Sequence, residues 1–127
     1  ELGMGPQELA IVMNAIGNHE EEHGTPATPI AAAAILADKA DVHHTRVRCM
    51  DPAQFDIHDR VNYAAKRSFV RVDSGTRVIT LELDIDTAVG QVMEYFEIFL
   101  SRMQISRKAA DALGATFSLV INGTQLL

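Results

Sequence analysis

The sequence contains one cysteine, Cys49. That excludes an intramolecular disulfide framework and any zinc site built from several thiolates, so a metal here needs His, Asp and Glu ligands. A single thiol also suits a reducing compartment. No uninterrupted apolar run is long enough to span a bilayer, and the N-terminus lacks the basic-then-apolar order of a signal peptide. The expectation is a soluble, unexported, cytoplasmic chain. Positive charge is in short supply as well. A net charge of −6 leaves no dominant basic face for a nucleic-acid backbone, so any phosphate recognition must be local.

What is present is apolar. With 127 residues and 47% hydrophobic side chains the chain buries one ordinary core and an appendage, but not two full domains. It begins at Glu1, and Pro6 opens a helix-like run with almost nothing before it, which reads as a fragment or a trimmed product.

From Gln7 to Ile16 the apolar residues Leu9, Ile11, Val12, Met13 and Ile16 crowd more than one face of a helix, implying a largely buried element ended by Gly17 and Asn18. A polar loop, Asn18 to Thr28, follows. Thr28 caps and Pro29 opens a second helix expected to reach about Val47, with the small residues Ala31 to Ala34 allowing close approach of a neighbour. Asp51 and Pro52 form another cap and first turn, predicting a third helix to about Arg67.

The period then changes. Ile79, Leu81, Leu83 and Ile85 alternate with Thr80, Glu82 and Asp84, as in a strand wet on one face, and Asp73, Ser74 and Gly75 supply a hairpin turn from a strand at Phe69 to Val72. From Thr87 a long amphipathic helix carries Val89, Val92, Met93, Phe96, Phe99, Leu100 and Met103. Gly114 ends it, and Phe117, Leu119 and Ile121 mark a last strand before Asn122 and Gly123. The fold class expected is α+β: a helical part over residues 1–66, then a strand-strand-helix-strand part over 67–127. Its three-stranded sheet is expected to be wholly antiparallel, with the last strand beside the first and the helix on one face.

Two clusters carry possible chemistry. In Asn18-His19-Glu20-Glu21-Glu22-His23-Gly24, imidazoles and carboxylates share one short loop and have the chemistry to ligate a divalent cation or move protons. On composition alone a solvated acidic loop is the plainer reading. In the second cluster Asp38 follows an apolar stretch, where a carboxylate needs a cation; Lys39 or an arginine would serve as well as a metal. Downstream, Arg46 and Arg48 offer guanidinium forks suited to phosphate oxygens, or merely a charged helix end.

The order of the two clusters resembles a known family. Asn18-His19-Glu20 with Gly24 and Pro26, followed by Ile35-Leu36-Ala37-Asp38-Lys39-Ala40-Asp41, is similar to the later ligand segments of HD-domain metal-dependent phosphohydrolases. The resemblance covers about residues 7–65. It implies that Asp38 is the last metal ligand and His19 a second metal or substrate ligand, with Lys39, Arg46 and Arg48 as phosphate contacts. The implied cofactor is a divalent ion such as manganese, magnesium or iron, and the implied activity is hydrolysis of a small phosphate ester or nucleotide. The family's leading His and its His-Asp pair have no counterpart before His19, so the implied site is incomplete and the chain alone is expected to be inactive. His58-Asp59 comes after Asp38, in the wrong order for that pair, and is expected to be a helix-surface pair bonded to Arg60 or Asn62. The alternative expectation is a non-enzymatic dimerisation or regulatory module, the free edges of the sheet offering a route to a homodimer.

Overall fold

The computed structural model describes residues 3–48, 51–89 and 92–127, which leaves Cys49 outside the described residues. Helix α1 spans Pro6–Gly17 and α2 spans Pro29–Lys39. Short 3₁₀ turns follow at His44–Arg46 and Pro52–Gln54, then α3 at Ile57–Ala64. Strand β1 is Ala65–Asp73, β2 is Val78–Ile85, α4 is Val92–Ala112, β3 is Thr116–Ile121 and β4 is Thr124–Gln125.

The chain is α+β, but its sheet differs from the expected one. It has four strands in the order β1-β2-β3-β4 and is mixed, so the last long strand lies beside β2 and not beside β1. Strands β1 and β2 form the antiparallel hairpin, with Val72 opposite Ile79 and the turn held by Asp73 Oδ1, which accepts from the amides of Gly75 at 2.8 Å and Thr76 at 3.0 Å. Strand β3 runs parallel to β2, with Ile79 beside Phe117 and Leu83 beside Ile121. The reason is the connection. A helix of 21 residues carries the chain back along the sheet before β3 begins, and such a crossover joins parallel strands. Gly114, at φ 68°, makes the left-handed turn at the end of that return. Asn122 then locks β3 to β2: its side chain accepts from the Ile85 amide at 2.7 Å and donates to the Ile85 carbonyl at 3.0 Å. Asn122 and Gly123 turn the chain into β4, a strand too short to show in the hydrophobic pattern.

The helices also depart from their expected limits. The second helix stops at Lys39 instead of Val47, because Val42 leaves the helical path to become fully buried in the core. Asp51 and Pro52 begin only a 3₁₀ turn; α3 starts later, where Asp56 Oδ1 accepts from the Asp59 amide at 2.7 Å. It ends at Ala64, since β1 begins at Ala65 and not at Phe69. The first helix is not largely buried. It packs on α2 through Ala15, its one buried residue, while Leu9, Ile11, Val12, Met13 and Ile16 stay exposed.

One apolar cluster fills the interior. Ile35 and Val42, Val61 of α3, Tyr95, Phe99 and Met103 of α4, and the inner faces of β2 and β3 all belong to it. In the helical stripe Phe99 and Met103 pack inward, Phe96 is half-buried and Met93 faces out. Among the described residues no helix is long and apolar enough to cross a membrane.

Candidate functional site

The polar loop after α1 folds back against α2 and α4. Gly24 makes this possible: its amide donates to the Glu20 carbonyl at 2.8 Å, and a Cβ here would run into the carbonyl oxygens of Glu20 and Asn18 and into the Ile105 side chain of α4. The loop thereby brings His19 to α2 and Glu21 to the space between α2 and α4.

His19 is oriented by the last turn of α1. Its Nδ1 lies 2.6 Å from the Ile16 carbonyl oxygen, which only accepts, so Nδ1 donates in this contact. Its Nε2 lies 3.2 Å from Glu20 Oε1, which also only accepts, so this nitrogen makes that contact as a hydrogen bond by donating. Asp38, one residue from the end of α2, is the other acid at this place. His19 and Asp38 line one cleft of about 230 Å³ together with Ala15, Ile16 and Ala34. Burial pushes the Asp38 carboxyl up, but the hydrogen bond and charge of Lys39, with smaller contributions from His19 and Arg102, hold it below its ordinary value.

Beside the cleft runs a ladder of alternating charge. Lys39 is only 3% exposed, and its Nζ lies 2.6 Å from Asp38 Oδ2 and 3.1 Å from Glu21 Oε1. Glu21 also takes Arg102 Nε at 3.0 Å, and the Arg102 guanidinium stacks 4.5 Å from the Phe99 ring centroid. Burial alone would raise Glu21; a hydrogen bond from its own backbone, then Lys39 and Arg102, bring it below its usual range. Glu21 and Arg102 are far apart in sequence and carry no motif, so nothing in the sequence singles them out as partners.

The remaining residues singled out by sequence lie elsewhere. Arg46 is engaged by the carboxylate and the carbonyl of Asp41, and neither it nor the exposed Arg48 lines the His19–Asp38 cleft. His58 is exposed in the first turn of α3, where its carbonyl accepts from Asn62 Nδ2 at 2.9 Å, and Asp59 also lies away from the cleft. Among the described residues no group of three or more His, Cys, Asp or Glu is placed to hold a metal ion. His19 and Asp38 are therefore a pair of donors and not a complete set.

No protein-family model matches this chain, and neither the curated proteins nor the solved structures give a significant match.

Proposed function

We propose that the chain supplies part of the site of a divalent-metal-dependent phosphohydrolase acting on a small phosphate ester or nucleotide, and that by itself it is inactive. The observation that carries this reading is the convergence of His19 and Asp38, from different elements, on one cleft. The Ile16 carbonyl orients the imidazole, whose Nε2 would turn from Glu20 to ligate a metal, and Lys39 holds the Asp38 carboxyl below its ordinary value. An imidazole nitrogen and a carboxylate are both donor types that a divalent cation takes.

Two protein donors fall short of the six or so oxygen and nitrogen ligands that manganese or magnesium takes. The residues present do not fit a complete metal centre, and no hydrolytic step is assigned to them. Their part in this reading is to hold one side of the site: His19 and Asp38 as donors, Lys39 as the counter-charge that positions Asp38. Lys39 is buried between two carboxylates, so the phosphate-binding role proposed for it requires Asp38 or Glu21 to turn toward another cation.

The rival reading is a module for dimerisation or regulation with no chemistry of its own. It draws on the same ion pair, since Asp38 already has a counter-ion in Lys39 and needs no metal. Melting temperature separates the two. A manganese-binding chain gains about 1.4 kcal/mol at a free metal concentration ten times Kd, so its melting point rises by a few degrees over that in EDTA. The rise should vanish in both Asp38→Ala and His19→Ala. A melting temperature indifferent to manganese in all three proteins favours the module.

A further inference from the structure

We propose that β1 is a self-pairing edge that joins two copies of this chain across a two-fold axis passing through Val70. The strand ends the sheet order, and among the described residues β2 alone pairs with it. It is nine residues long and richly exposed, with Phe69 at 45% and Val72 at 68%. A long edge of this kind, with apolar side chains in solvent, is a template for another strand.

The two ends of the edge limit where a partner can pair. At the start, the Lys66 main-chain carbonyl is taken by His43 Nε2 at 3.2 Å, so pairing begins after it; Ser68 is engaged only through its side-chain hydroxyl, which donates to the Ala40 carbonyl. At the other end the strand turns at Asp73. The stretch between these limits is 67–73, and its middle residue is Val70.

Charge selects the same centre. A two-fold axis perpendicular to the sheet keeps the faces of the two strands alike, so only same-face residues stand opposite one another. With the axis at Val70, Arg67 faces the partner's Asp73, Phe69 faces the partner's Arg71, and Ser68 faces the partner's Val72. Opposite charges meet twice, and so do an aromatic ring and a guanidinium. Arg67 and Arg71 already sit 5.3 Å and 5.8 Å from the Phe69 ring centroid within one chain, so the ring is placed to receive cations on this face. Moving the axis to Phe69 sets Arg67 against the partner's Arg71, and moving it to Arg71 sets that residue against its own copy. Like charges directly opposite destabilise both of those registers.

Packing agrees with the pairing. A cavity of about 480 Å³ lies between α2 and the inner face of β1, walled by Ala33, Leu36, Ala37, Val70 and Val72 and bordered by Ser68. In the Val70-centred register the partner's Val72 arrives opposite Ser68 on this face. That places an apolar side chain along the cavity's border and takes Val72 itself out of water. The occupant is thus a second copy, and the two four-stranded sheets become one.

Sedimentation equilibrium over a range of concentrations tests this on the whole chain. The expected result is a monomer–dimer equilibrium whose Kd rises about tenfold or more in Arg67→Glu, which sets Glu against Asp twice, and about threefold in Asp73→Asn, which keeps the turn acceptor but removes the charge. In Arg67→Glu with Asp73→Asn the repulsion is gone, so the double variant should dimerise more tightly than Arg67→Glu alone. Ile16→Glu, on the exposed face of α1, should leave Kd unchanged. A monomer at every concentration overturns the proposal. So does a dimer indifferent to Asp73→Asn and Arg67→Glu, or one lost in Ile16→Glu. Circular dichroism confirms folding of each variant; if Arg67→Glu does not fold, Asp73→Asn decides.

Discussion

Lys39 Nζ and the Glu21 carboxylate lie 3.1 Å apart, and this contact ties the loop after α1 to the end of α2. The lysine is nearly inaccessible, whereas Glu21 retains a second cation in Arg102. Removing the Glu21 charge leaves the buried Lys39 with Asp38 as its one carboxylate among the described residues and takes the counter-charge from Arg102, whereas removing Lys39 leaves Glu21 still paired with Arg102. We therefore expect Glu21→Gln to lose about 2–3 kcal/mol, and Lys39→Met, whose side chain follows the lysine path, to lose less. Urea denaturation of both variants measures the difference, and equal losses would count against this assignment of the buried charge.

Acid should unfold the chain partly through the same ladder. Glu21 and Asp38 both titrate below their ordinary values in the folded state. For depressed carboxyls the contribution to stability is present in full above the unfolded-state value and is lost as pH falls through the folded one. The melting temperature should thus stay nearly level from neutrality and fall below roughly pH 4.5. Glu21→Gln should start lower at neutral pH and fall less. It will not abolish the fall, because Asp73 and Glu82, held by backbone amides and by Arg71 respectively, are depressed too. A variant curve parallel to that of the parent chain would contradict the role given to Glu21.

Gly24 is the position where a single methyl group should do most damage to the candidate site. Its conformation is ordinary, so the constraint is one of space: backbone oxygens on one side and Ile105 on the other. Gly24→Ala should cost about 2–4 kcal/mol, in the range of substitutions that force backbone displacement. Because the displaced loop carries Glu21, the variant should also lose the acid sensitivity assigned to that residue. A melting temperature within a degree of the parent would show that the loop has more room than the structure gives it.

The elements that could be read from sequence are those whose signals are local. Alternation from Ile79 to Ile85 and from Phe117 to Ile121 reports strands with one face in the core, and both are present. Thr28 before Pro29 marks the start of α2, where Thr28 Oγ1 accepts from the Ala31 amide at 3.1 Å. The Asp73 turn is equally local. His19 and Asp38 could be singled out by their residue types and order. That they share a cleft depends on a loop closure that Gly24 permits and its spacing alone does not reveal.

Other features belong to the assembled molecule. The apolar run of α1 looks the same whether a helix is buried or bare, and only the position of α2 decides that Ala15 is covered and Ile16 is not. The charge run after Asp38 continues a helical pattern, yet the gain from burying Val42 ends α2 at Lys39. The direction of β3 beside β2 has no mark in either strand, since alternation is the same for parallel and antiparallel neighbours. The pairing of Glu21 with Arg102 likewise required α4 to be laid across α2. By itself the sequence determined the class of each long element and the chemical groups available, because periodicity and caps act within a few residues. Tertiary structure alone decided the order of the strands, the exposed face of α1 and the meeting of His19 with Asp38, because these depend on contacts between residues distant in the chain.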